Sequence, residues 1–276
     1  MRARFSGYPT PPSSVRRAGS GQRIARSHYA LPHGLEGIVG GAYIFIGRPE
    51  RYVEMCRAEL RRRRDAPVAI RASLVFALVF AGSGEEAMVA ADGLIEAAEA
   101  TGNPFVLSFV LAACGTAFGD TDPAHAMDAL GRGLVIAQDS GNRFNASLLA
   151  LNLSRLEATH GDMASAFDLF SLAIRNMHDS GNTTTMRNPL ALLATVLDRL
   201  GRYESAATIA GFALSPLSET AYPEINTAIT HLRDILGDQT YESLARKGET
   251  MTTAAMATYA YGQIDQARAE LNAASK

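Results

Sequence analysis

Apolar side chains recur three and four residues apart along most of the chain, and glycines punctuate the runs. After Gly161 come Ala166, Phe170 and Ala173, at offsets of 5, 9 and 12. The same offsets place Ala206, Ala210 and Ala213 after Gly201, and Ala87, Ala91 and Leu94 after Gly82. After Gly119 a short insertion (TDPAHA) precedes Ala126, Leu130 and Gly133. Steps of four and three lie on one helix face. Small residues on that face allow a paired helix to approach closely, and larger ones fill the groove between pairs. Sustained strict alternation is absent, so strands are not expected.

A second class of helix precedes each of these, with a wider apolar face. Phe105, Val106, Phe109, Val110 and Ala113 form one set. Phe144, Leu148, Leu149, Leu151 and Leu156 form the next, and Leu190, Leu193, Leu197 and Leu200 a third. Gly-Asn pairs open these helices at Gly102, Gly141 and Gly181, spaced 39 and 40 residues apart. The glycines at 82, 119, 161 and 201 interleave with them at spacings of 37, 42 and 40. Two alternating sets of punctuators mean two helices per unit, so the repeat is a helical hairpin. Glycine suits a helix C-terminus. Asp120 and Asp162 are placed to cap the helices that follow, and Pro123 and Pro189 fit early helical positions. A more degraded unit is expected upstream. It would run from Gly34 to Ile46, then from Pro49 through Arg64, before a helix beginning at Pro67 and covering LVFALVF. No hairpin of this kind buries its apolar face alone, so an all-α stack of antiparallel helix pairs is predicted.

Composition narrows the class. The 276 residues are 47% hydrophobic and carry a formal charge of -2, which excludes a globally basic nucleic-acid coat. Trp is absent, so the core rests on Ala, Leu, Val and Ile. Two cysteines, Cys56 and Cys114, exclude a disulfide-dense scaffold. Residues 1–30 read as a basic disordered tail with Arg2, Arg4, Arg16, Arg17, Arg23 and Arg26 and no apolar signal core. Residues 31–213 hold the repeats, and 214–276 a helical closing segment. The most apolar stretch, Leu74–Gly82, is too short to span a membrane, so a cytoplasmic protein without a membrane partner is expected.

Candidate chemistry is sparse. The six histidines form no metal-binding spacing, and both cysteines fall on predicted helices as small buried hydrophobes. AGSGQR (Ala18–Arg23) lacks the strand, lysine and helix start of a phosphate loop. GIVGGAYIFIG (Gly37–Gly47) lacks dinucleotide-binding spacing and reads as close helix packing. No catalytic residue, cofactor or metal is expected. The charge feature is RAELRRRRDAPVAIR, where Arg57, Arg61, Arg62, Arg63, Arg64 and Arg71 gather near a helix end. It reads as a solvated terminus or as a contact for nucleic acid or an acidic partner. Asn145, Asn152, Arg155, Arg187 and Asn188 are polar positions on the first helices of the hairpins. They are candidates for the lining of a concave binding surface.

GDMASAFDLFSLA (Gly161–Ala173) resembles the second helix of a tetratricopeptide repeat. GRYESAATIAGFA (Gly201–Ala213) resembles it too, with Ala210 at the aromatic position. Downstream, LRDILGDQTYESLARKGETMTTAAMATYA (Leu232–Ala260) resembles the close of the long helical arm in large actinobacterial signalling ATPases. Those proteins carry an NTPase module before the arm, often a LuxR-class helix-turn-helix after it, and sometimes a nucleotide cyclase in front. The resemblance spans Gly34 to Leu271 and implies a right-handed superhelical, tetratricopeptide-like solenoid. The chain has no G-x-x-x-x-G-K-[ST], nothing that fits a cyclase, and too few residues after Ala260 for a helix-turn-helix. The expectation is a non-catalytic protein- or peptide-binding regulatory scaffold. The alternative is a nucleic-acid-associated regulator using the arginine cluster and the basic tail.

Overall fold

The computed structural model describes residues 40, 42–44, 46–63 and 66–274. Among them the regular structure is entirely helical. The basic tail, Ala18–Arg23 and Arg64 lie outside the described residues. The helices are α1 (Pro49–Arg62), α2 (Val68–Phe80), α3 (Gly84–Ala91), α4 (Leu94–Glu99), α5 (Pro104–Phe118), α6 (Pro123–Asp139) and α7 (Arg143–His160). They continue as α8 (Met163–Asp179), α9 (Arg187–Arg199), α10 (Tyr203–Ala213), α11 (Pro216–Ala221), α12 (Glu224–Leu236), α13 (Asp238–Glu249) and α14 (Thr253–Ala274).

The architecture is repeat-like. α5 packs along α6, α7 along α8 and α9 along α10, while α2 lies against α5 and α6 against α7. The repeated face is the seam of each pair: Ala166, Phe170, Ala173, Ala206, Ala210 and Ala213 are all fully buried. Close approach is real at Gly133, where an added Cβ would lie 2.8 Å from a Leu149 methyl. Gly40 packs against the Tyr52 ring in the same way.

The Gly-Asn pairs work at two helix ends at once. Gly102 and Gly141 close one helix in the left-handed region, at φ +62° and +69°. The next residue then caps the following helix: Asn103 accepts from the amides of Phe105 and Val106, and Asn142 from that of Asn145. Asp162 caps α8 through the Ser165 amide at 2.8 Å, and its carboxyl is held below the usual carboxylate range by that hydrogen bond. The α6 cap departs from expectation. It is Asp122, not Asp120, because the insertion after Gly119 moves the helix start to Pro123.

Two further boundaries differ from the sequence pattern. Ala87, Ala91 and Leu94 do not share one helix, because the chain breaks at Gly93 (φ +63°) into α3 and α4. The helix expected to run through Arg64 ends at Arg62, with Arg63 extended.

The third Gly-Asn pair behaves differently from the other two. α9 begins five residues after Asn182, and Met186 rather than an asparagine occupies its N-cap. A turn over 183–186 carries α9 away from α8, and the two helices touch only sparsely. α14 packs on α8 and also on α10, bridging the two hairpins. Beyond the last pair, α13 crosses α10 with backbone against backbone. The missing side chains of Gly211 and Gly248 leave room for the Ala245 and Thr208 carbonyls. No helix among the described residues is long and apolar enough to cross a membrane.

Candidate functional site

The polar residues expected to line a binding surface mostly tie the hairpins together. Asn145 is completely buried. Its Nδ2 donates to the Phe105 carbonyl at 3.0 Å and to Ser108 Oγ at 2.8 Å, which joins the starts of α7 and α5. Asn152 is buried and returns its amide to the Leu148 carbonyl one turn earlier. Arg155 reaches Asp120 at 3.1 Å, linking the ends of the same two helices. Arg187 donates to the carbonyls of Phe212 and Leu214 and stacks over the Phe212 ring, 4.9 Å from its centroid. Asn188 is half-buried in the first turn of α9. Arg199 plays a part like that of Arg155, donating to the Ala158 carbonyl at 3.1 Å. Polarity on a first helix marked these positions, but that signal is shared by a ligand contact and by a link to the next hairpin.

The arginine cluster is partly neutralised. Arg62 and Arg63 pair with Glu59, at 2.9 and 3.8 Å. Arg57 pairs with Glu86 from α3, and Arg71 donates to the Asp92 carbonyl at 3.3 Å. Arg61 is exposed.

Cys56 and Cys114 are buried, and burial pushes the Cys114 thiol up to about 12, aided by nearby Glu96. The contact between His231 on α12 and the buried Asp198 on α9 is not legible from the sequence. His231 Nδ1 lies 2.9 and 3.1 Å from the two carboxylate oxygens, and the Tyr203 ring meets its ring edge-on. The two groups lie 33 positions apart and outside any motif spacing. Among the described residues no three His, Cys, Asp or Glu side chains are placed to hold a metal ion. A depression lined by Gln239, Glu242, Ser243, Arg246, Lys247 and Thr250 follows one face of α13 alone and encloses nothing.

The surface feature that stands out is aromatic. Phe105 and Phe144 are 48% and 60% exposed, each two residues after a capping asparagine. The Asn145 link sets their helix starts side by side. Phe109 stacks on Phe105 with centroids 6.4 Å apart and meets Phe76 at 5.3 Å. The apolar pattern places Phe105 and Phe144 with the apolar face of their helices. Helical spacing explains the difference: Val110 and Ala113 point inward, whereas Phe105 and Phe109, one turn apart, share the adjoining, more open face. Exposed aromatics of this size are characteristic anchors of protein interfaces. No family model matches the chain, and no curated protein matches it.

Proposed function

We propose that the chain is a non-catalytic protein-interaction scaffold, a right-handed superhelical solenoid of the tetratricopeptide type. In this reading it is related to the helical arm of large bacterial signalling ATPases and transcriptional regulators. The first helices of the hairpins line its inner side, and a peptide or protein partner anchors on the ridge of Phe105, Phe109 and Phe144. The observation that carries the proposal is the exposure of Phe105 and Phe144 at equivalent places in successive repeats. Two exposed rings cost solvation in the free protein and repay it when a partner covers them. Arg62, Arg63 and Arg57 support a nucleic-acid contact less well, because Glu59 and Glu86 already offset their charge.

The test is photo-crosslinking from the ridge in a lysate of the source cells, with the wild type and the Phe105→Ser/Phe144→Ser variant. A defined protein crosslinked by the wild type and lost with the double variant supports the reading. Equal capture by both, with the variant still folded, defeats it.

A further inference from the structure

The two loops that carry the aromatic ridge share one order of residues. In EATGNPF (Glu99–Phe105) and QDSGNRF (Gln138–Phe144) a carboxylate closes one helix and a Gly-Asn pair turns the chain. An exposed ring then stands second in the next helix. HDSGNTT (His178–Thr184) keeps Asp179 and the Gly-Asn pair but has Thr184 in the place of the ring, so the ridge ends after two repeats. Glu99, Asp139 and Asp179 are the last residues of α4, α6 and α8. A carboxylate there adds to the negative end of the helix dipole instead of offsetting it. Arg132 pairs with Glu99, and Arg143 with Asp179 at 3.7 Å. Asp139 is exposed, five positions before Phe144.

The surroundings are acidic well beyond these loops. Residues 72–142, from within α2 to the start of α7, contain nine carboxylates and one arginine, a net charge of -8. Residues 1–39 contain six arginines and one glutamate, a net charge of +5, together with Phe5, Tyr8 and Tyr29. The first described residue, Gly40, lies against the Tyr52 ring on α1. α1 packs on α2, and Phe76 of α2 meets Phe109 of the ridge. Two helix spacings, about 20 Å, therefore separate Gly40 from the ridge. The extended chain from Arg26 to Gly40 reaches about 45 Å.

We propose that, in the free protein, the ridge of Phe105, Phe109 and Phe144 is covered by the chain's own segment 1–39. The inference rests on the reading of the ridge as a binding surface and names its resident occupant. Arginines of the segment meet the carboxylates at the ends of α4 and α6. They also lie on the exposed rings, whose faces attract a guanidinium. Opposite net charges draw the two parts together, and one covalent chain holds them at high effective concentration. A partner for the ridge must displace the segment, so the contact is self-inhibiting and weakens with salt.

The test uses the purified full-length chain with the photo-crosslinker p-benzoylphenylalanine in place of Phe144 or, as a control, of the exposed Ile235 on α12. Position 144 is expected to crosslink to residues 1–39 in a product of single-chain mass, identified by mass spectrometry, and position 235 is not. The yield should fall at least about fivefold in about 0.5 M salt. It should fall as far when Arg2, Arg4, Arg16, Arg17, Arg23 and Arg26 are each changed Arg→Glu, with the helical far-UV signal retained. The proposal is overturned by equal yields from the two positions, by no such product at low salt or one only at dimer mass, or by a yield that ignores both salt and charge reversal. The two readings fail separately. Capture from the lysate that depends on Phe105 and Phe144 supports the ridge as a binding surface even where segment 1–39 does not crosslink to it. Where both hold, the Arg→Glu chain captures more partner than the wild type, and equal capture by the two overturns self-inhibition.

Discussion

Asn145 has no access to solvent, and its amide is shared between a carbonyl and a hydroxyl of the preceding hairpin. Replacing it by alanine leaves Ser108 buried without that partner and opens a small void. The expected cost is about 1–3 kcal/mol, read as a lower urea midpoint at unchanged slope. The cysteines give a second measurement at this scale. With its thiol pushed to about 12 by burial, Cys114 is protonated at pH 8 and shielded, and Cys56 is buried as well. A thiol reagent at that pH should label neither residue in the folded protein and both in denaturant. Rapid labelling of native Cys114 would contradict the burial. The same residues show where sequence reading stops. Hydrophobicity alone placed Cys114 inside. Polarity placed Asn145 outside, because one chain does not reveal which face of a first helix meets the next hairpin. Phe105 and Phe144 erred in the opposite direction for the same reason.

At the level of helices, glycine does two opposite jobs, and paired substitutions separate them. A methyl group added at Gly248 runs into the Thr208 carbonyl, and backbone cannot step aside. Gly248→Ala should therefore destabilise by about 1–3 kcal/mol through overpacking. Gly131, inside α6, has nothing near its missing side chain. Gly131→Ala should stabilise by about 0.5–1 kcal/mol because alanine restricts the unfolded chain more. Thermal melts of the two variants, moving in opposite directions, check both. The helix pairs were legible because their seams repeat at fixed offsets from glycines and their caps follow from Asn and Asp. The break at Gly93 was not legible, since α3 and α4 together keep the seam spacing and only the backbone at Gly93 departs. The fit of α13 on α10 was equally hidden. It depends on two glycines, Gly211 and Gly248, far apart in sequence and within no common motif.

Across the whole molecule, apolar seams outweigh charge. The ion pairs between helices, such as Arg57–Glu86, Arg132–Glu99 and Arg155–Asp120, lie at the surface with at least one partner well exposed. Pairs of that kind contribute little individually and are screened by salt. Raising sodium chloride from 0.1 to 1 M should move the calorimetric Tm by no more than about 4 °C. A larger drop would mean that charge, not packing, holds the hairpins. The hairpin order could be read from the chain because each repeat meets its neighbour. The docking of α14 could not, since nothing local announces a contact 100 residues away. That contact also sets an order in time. At about 5–20 residues per second of synthesis, Arg268 is made about 5–20 s after Asp168. From the completion of α10 at Ala213 until α14 is made, the faces of α8 and α10 that α14 covers stay open while the hairpins that carry them are already complete. The last part of the array to close during synthesis is therefore a seam in its interior, and a chaperone that shields nascent apolar surface would find its target there.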